Sequence, residues 1–242
     1  MDDILIATTK EWNIKNYFSL AKSHTDTFKF HLITTPEELN PETIQDINPK
    51  YIFFPHWSWI IPKDIYGNYE CVVFHMTDLP FGRGGSPFQN LIMQEVYDTK
   101  ISALQVNEGL DTGDIYIKEP FNIATGSAEE NFIKLSTIIF EKMIPKILKS
   151  NITPVQQTGS ATSFTRRSPD DSDIMTLKNK SISRFYDFIR MLDAEGYPRA
   201  YLKLGGLKFE FSEVHLKSNK LAGRFEVVED EQKNIKSGGP SG

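Results

Sequence analysis

His75 closes the apolar run "CVVF" and is followed at once by "MTDLPFGRGGSP", a loop dense in proline and glycine with one arginine. An imidazole carried out of a buried strand can hold a proton, give one up, or stabilise developing negative charge. A lone strand-end histidine more often only packs, so its significance depends on a partner. Asp111, in the glycine-flanked turn "GLDTGD", places a carboxylate 36 positions downstream, between two strand candidates. A carboxylate beside an imidazole fixes the ring's orientation and favours its cationic form, or serves as a base itself.

Bringing two such groups together requires strands that end at a common edge. "ILIAT" is a β-branched run leading into "NIKNYFSLAKSH", where Ile14, Tyr17, Phe18 and Ala21 recur at helical spacing. "FKFHLIT" and "KYIFFP" are further strand candidates, separated by an acidic, proline-punctuated short helix or loop. After "CVVFH", Ser86 reads as an N-cap and Pro87 as the first residue of a helix running to Tyr97. "ISALQV" and "IYIKEPF" resume strand character, and "SAEENFIKLSTIIFEKMIPKILK" is a long amphipathic helix capped by Ser127. This alternation predicts an α/β fold, a Rossmann-like, mostly parallel doubly wound sheet. The carboxyl edge of such a sheet is where ligands bind, and His75 sits there. No Gly-x-Gly-x-x-Gly follows the first strand, so a dinucleotide cofactor is not expected.

From Asn151 the texture turns rich in Thr, Ser, Pro and Gly. The reading is a catalytic domain over 1–150, a linking segment over 151–175, and a small C-terminal α+β annex over 176–230. A tail over 231–242 has too little apolar surface to fold. In the annex Ile182, Phe185, Tyr186, Ile189 and Leu192 form a helical stripe, and strands turn through Gly205-Gly206. An apolar annex face around Phe209, Phe211 and Val214 would pair two subunits into a homodimer.

Hydrophobic residues at 39% and charged residues at 24% suit a soluble globular chain, and no apolar run approaches the roughly 20 residues of a membrane helix. The start "MDDILIATTKEW" has no signal-peptide pattern, so a cytoplasmic location is expected. A single cysteine, Cys71 in an apolar run, excludes an internal disulfide and a cysteine-based zinc site, and no metal is expected. Net charge −5 argues against gripping nucleic acid through a broad basic surface, so small-molecule substrates are expected and nucleic acid is not.

"FHMTDLPFGRGGSP" and "GLDTGDIY" together resemble the two signature loops of the formyltransferase family that uses N10-formyltetrahydrofolate, at the interval seen in methionyl-tRNA formyltransferases. "FFPHWSWIIP" resembles the family's pterin-side strand and loop. "FTRRSPDDSDI" resembles the stretch after the catalytic domain in sugar-nucleotide formyltransferases, and "IRMLDAEGYPRAYLKLGG" the start of the small C-terminal domain. The resemblance implies transfer of a formyl group to a primary amine, with His75 and Asp111 catalytic. The family's asparagine two residues before the histidine is Val73 here, and the backbone, Asn90 or His56 would have to replace it.

The resemblance further implies folate contacts from Trp57, Trp59, Ile60, Ile61, Glu108 and Leu110. Thr9, Lys10, Trp12 and Asn13, at the start of the first helix, and Arg83 are candidate substrate contacts. Trp57 and Trp59 flank a flat pterin or belong to the core. Arg83 binds an anion or pins its loop to Asp78. His56 is a packing residue or a substrate contact. The favoured acceptor is the amine of a UDP- or dTDP-linked amino-dideoxysugar, in a subgroup that includes pseudaminic acid synthesis. The alternatives are a methionyl-tRNA formyltransferase-like enzyme, and a formyltetrahydrofolate hydrolase or folate-binding module without transfer activity.

Overall fold

The structure, a computed structural model, describes residues 1–230; the predicted tail over 231–242 lies outside them. Two compact units divide the chain. The first comprises Met1–Pro87, Asp98–Ile123 and Phe132–Thr165, the second Phe88–Tyr97, Ala124–Asn131 and the chain from Arg166 on.

In chain order the elements are β1 (Asp2–Ala7), α1 (Glu11–Ser23), β2 (Phe28–Ile33), α2 (Pro41–Ile47), β3 (Tyr51–Phe54), α3 (Lys63–Tyr66), β4 (Cys71–His75), β5 (Arg83–Gly84) and α4 (Pro87–Met93). There follow β6 (Asp98–Gln105), β7 (Ile115–Asn122), α5 (Ala128–Ile138), α6 (Ile144–Ser150), β8 (Ser163–Phe164), α7 (Ile182–Arg190), β9 (Ala200–Leu204), β10 (Leu207–Lys217) and β11 (Lys220–Glu229).

The first unit holds a six-stranded sheet in the order β2-β1-β3-β4-β6-β7. The first four strands are parallel, β6 runs antiparallel to β4, and β7 runs antiparallel to β6. Parallel pairing follows from the helices α1, α2 and α3, which carry the chain back across the sheet between strands. Between β6 and β7 the chain has only a nine-residue turn region, 106–114, so those two strands form a hairpin. Ile4, Leu5, Ile6, Ile52 and Phe53 are all fully buried, as strands covered on both faces require.

Helix α1 buries Asn13, Tyr17 and Leu20 while Phe18 is exposed, so its inward stripe is shifted from the predicted Ile14, Tyr17, Phe18 and Ala21. The shift has a polar cause: the Asn13 amide donates to Thr8 Oγ1 at 2.9 Å and to Pro55 O at 3.0 Å. Ser127 and Glu130 form the expected capping box, with bonds of 2.9 and 3.2 Å. The long helix that follows is broken by a wide turn over Ile139–Met143 just before Pro145, whose ring has no N–H to donate.

In the second unit α4 ends at Met93 rather than continuing to Tyr97. Val96 N donates to Leu91 O at 2.9 Å and Glu95 N to Ile92 O at 3.0 Å, a Schellman closure with Glu95 at φ +59°. A glycine would have signalled that stop; a glutamate does not. Strands β9, β10 and β11 form an antiparallel sheet, and Gly205 and Gly206, at φ +62° and +89°, make the predicted two-residue turn. Among the described residues no helix is long and apolar enough to cross a membrane.

Candidate active site

The strand order reverses between β1 and β3, which opens a crevice at the carboxyl ends of the parallel strands. Thr8 donates to Pro55 O at 2.8 Å there, and Asn13 bonds both, so the crevice floor is a closed polar knot. His75, the last residue of β4, is 7% exposed. Its Nε2 lies 2.7 Å from Gly82 O; a carbonyl only accepts, so Nε2 carries the proton. Nδ1 faces Asp111 Oδ2 at 3.5 Å, beyond the usual hydrogen-bond length, so both groups address a common space. In the neutral ring Nδ1 is a lone-pair acceptor, and only the imidazolium donates at both edges.

Asp111 is built in at some cost. Its φ is +53°, a region few non-glycine residues occupy, and its side chain is 13% exposed. Gly84 N donates to Oδ2 at 2.8 Å. Gln157 Nε2 donates to the main-chain oxygens of Asp111 and Gly113, at 2.9 and 2.8 Å, and Gln157 Oε1 accepts from Arg83 Nε and Nη2 at 3.2 and 2.8 Å. Arg83 therefore anchors to Gln157 and not to Asp78, which pairs with Lys100 at 2.9 Å and Lys118 at 2.6 Å.

The segment 151–165, rich in small polar residues, belongs to the same unit as the histidine. Strand β8 pairs with β5 in parallel, and Thr162 Oγ1 accepts from Gly82 N at 2.8 Å. A Cβ at Gly84, where φ is +101°, would stand 2.5 Å from Phe164 O, so only glycine permits that approach. Gln157 and Thr162 were invisible to sequence reasoning because nothing in their spacing distinguishes them from a linker.

The other predicted residues divide. Asn13 is committed to the knot at the crevice floor. Trp12 stacks on Phe132 at 6.2 Å, presents its ring to His56 at 5.9 Å, and carries the Lys10 ammonium 5.6 Å from its centroid. Burial, with the nearby Lys10 charge, pulls the His56 pKa from 6.5 down to about 4, so that ring is neutral near neutral pH. Thr9 is half-buried just before α1. The Trp57 and Trp59 rings touch each other, 5.1 Å apart and tilted by 58°, and Trp57 also packs on Phe54. No flat ring fits between them, so the face left to a ligand is the outer one of the exposed Trp59. Ile61 is core, whereas Ile60 is 93% and Leu110 72% exposed, with Glu108 beside the latter on the same open loop.

Val73 is half-buried and packs against two apolar clusters, one with Leu5 and Phe54, the other with Leu79, Leu104 and Ile115. It is a packing residue where the related pattern has an amide. Among the described residues no group of three or more His, Cys, Asp or Glu side chains is disposed to hold a metal.

A Rossmann-like sheet with an imidazole and a carboxylate converging beyond its fourth strand defines the architecture of a group-transferring α/β enzyme. The chain belongs to the formyltransferase family. It superposes on a solved methionyl-tRNA formyltransferase from Clostridium thermocellum with TM-score 0.91 and 50% identity, over 95% of this chain and 100% of that one. The family model described as "Methionyl-tRNA formyltransferase, C-terminal domain" matches residues 169–228. A methionyl-tRNA formyltransferase of Syntrophomonas wolfei is 26% identical over 88% of this chain and 70% of its own length. The chain spans 47–70% of the length of such curated relatives. A sugar N-formyltransferase from Shewanella shares the fold, with TM-score 0.67 and 14% identity over 85% of this chain and 94% of that one.

Proposed function

We propose that the protein transfers the formyl group of N10-formyltetrahydrofolate to a primary amine, and that His75 and Asp111 carry the reaction. The observation behind the reading is the 3.5 Å approach of His75 Nδ1 to Asp111 Oδ2 in the crevice unit. The amine attacks the formyl carbon beside this pair, within reach of both side chains. Asp111 takes the proton the amine loses, directly or through one water, and His75, as the imidazolium, stabilises the oxygen of the tetrahedral intermediate and gives a proton to N10 as tetrahydrofolate departs. One proton leaves the amine and one arrives at N10, so the step balances. With Val73 apolar, charge on the imidazole replaces a neutral amide donor. The outer face of Trp59, with Ile60 and Leu110, suits a flat, partly apolar pterin.

For the acceptor we favour the amine of an aminoacyl-tRNA. The 50% identical relative is named a methionyl-tRNA formyltransferase, and the C-terminal segment matches that enzyme's C-terminal family. This displaces the expectation of a nucleotide-linked amino sugar, which rested on resemblance to sugar-nucleotide formyltransferases, and that of no nucleic-acid partner, which rested on net charge. The net charge of −5 still favours the sugar reading as a second one, since phosphate binding draws on basic surface. Tetrahydrofolate release from N10-formyltetrahydrofolate, measured with methionyl-tRNA, with nucleotide-linked amino sugars and with no amine, distinguishes the readings. Release only with methionyl-tRNA supports the first, release only with the sugars the second, and release without amine points to hydrolysis.

A further inference from the structure

We propose that Thr162 is a positioning residue for the His75 imidazole: acting through the Gly82 carbonyl, it keeps one ring proton on Nε2 and leaves Nδ1 as the edge that exchanges the catalytic proton. The inference rests on the transfer chemistry above, and adds which nitrogen performs it and what holds that choice.

His75 Nε2 donates to Gly82 O at 2.7 Å, and Thr77 Oγ1 approaches the same oxygen at 3.4 Å. A carbonyl offers two lone pairs and no proton, so Nε2 keeps its proton in the neutral ring and in the imidazolium alike. Only Nδ1, 3.5 Å from Asp111 Oδ2, then changes its protonation. The chemistry therefore depends on where one carbonyl points.

That carbonyl belongs to a residue with little conformational preference of its own. Gly82 sits at φ +70°, where glycine is at ease and free to leave. Thr162 holds it on both sides. The threonine hydroxyl accepts from Gly82 N at 2.8 Å, and its main-chain oxygen accepts at 3.0 Å from Arg83 N, the N–H of the peptide unit that carries Gly82 O. A peptide bonded through its N–H is also a better acceptor at its oxygen. Thr162 N donates to Pro80 O at 3.2 Å, so one residue is bonded to the loop at three points. Phe164, two residues on, closes the space over Gly82, where a Cβ would stand 2.6 Å from its ring. The same pairing serves the carboxylate, because Gly84 N, which donates to Asp111 Oδ2 at 2.8 Å, lies in β5, whose strand partner is β8. Rotation of the Gly82–Arg83 peptide would withdraw the acceptor from Nε2 and let the neutral ring protonate at Nδ1 instead.

Two readouts on Thr162→Val, which keeps the β-branched shape and removes the hydroxyl, test this. Nitrogen–proton correlation NMR of the imidazoles at alkaline pH reports the tautomer, with the His75 signals identified by their loss in His75→Asn. The parent ring should carry its proton on Nε2, and Thr162→Val should mix in the Nδ1 form. In steady-state kinetics Thr162→Val should lower kcat about tenfold or more while the KM for the folate changes by less than about threefold. Thr162→Ser, which restores the hydroxyl, should stay within about threefold of the parent in both constants. Far-UV circular dichroism checks folding, and if Thr162→Val misfolds, Gly82→Ala, whose Cβ displaces the Phe164 ring, makes the same test. A parent ring protonated at Nδ1, an unchanged tautomer or kcat in Thr162→Val, or a Thr162→Ser no better than Thr162→Val would each overturn the proposal. A parent ring protonated at Nε2 that shifts in Thr162→Val, in a chain that transfers formyl to no amine, would instead sink the functional reading and leave the anchor standing.

Discussion

The side-chain amide of Gln157 donates to the main-chain oxygen of Asp111 at 2.9 Å, holding a carboxylate whose backbone sits at φ +53°. Arg83 grips the other end of the same amide, so one glutamine ties the arginine loop to the aspartate turn. Gln157→Ala frees both. Turnover is expected to fall about tenfold or more, with the KM for the folate changed by less than about threefold, because Asp111 moves while the open loops do not. Steady-state kinetics at several pH values check this; an unchanged kcat would leave Gln157 a purely structural residue.

Val73 lies between two apolar clusters, so restoring the amide of the related pattern is not expected to help. Val73→Asn buries an amide without partners and should cost about 1–3 kcal/mol of stability. Urea denaturation measures it. A gain in turnover without loss of stability would show that the site has room for the amide.

His56 predicts a pH dependence of stability. Its folded pKa is about 4 against 6.5 for an unperturbed imidazole, so below pH 6.5 the unfolded chain takes up a proton that the folded one refuses. Its stabilising contribution is therefore complete above pH 6.5 and declines as pH falls toward 4, by up to about 1.4 kcal/mol per pH unit. His56→Phe, which keeps a ring against Trp12 and Phe132, should flatten the stability profile in that window. Denaturation curves at pH 7.5, 6, 5 and 4.5 make the comparison; parallel profiles would contradict the assignment.

Cys71 is buried at the start of β4, and burial with the charge of Glu70 pushes its thiol up to about 12. A thiol-specific reagent at pH 8 should leave the native protein unmodified and label one site once it is denatured. Rapid labelling of the folded chain would mean that β4 opens.

Much of the architecture could be read from residue order because local rules and tertiary packing agreed. Gly205-Gly206 could hardly be other than a hairpin turn, Ser127 with Glu130 announced a helix start, and the apolar run ending in a histidine marked a strand that stops at His75. The failures share a physical cause, a polar residue doing what an apolar residue or a glycine usually does. Asn13 turns inward to bond Thr8 and Pro55 and rotates the buried stripe of α1. Glu95 takes the left-handed position that ends α4. Gln157, in a stretch with the composition of a linker, braces the aspartate turn through four side-chain hydrogen bonds. Such roles depend on distant partners, which spacing along the chain does not reveal.

Single-turnover formyl transfer by the parent enzyme, His75→Asn and Asp111→Asn, with whichever of methionyl-tRNA and a nucleotide-linked amino sugar supports turnover at saturation, tests the central pairing. Each variant should remain folded and lose about 100-fold or more in rate, since each removes a proton donor or acceptor at the reacting atoms. A rate within about threefold of the parent in either variant would contradict the assignment of the chemistry to this imidazole and this carboxylate.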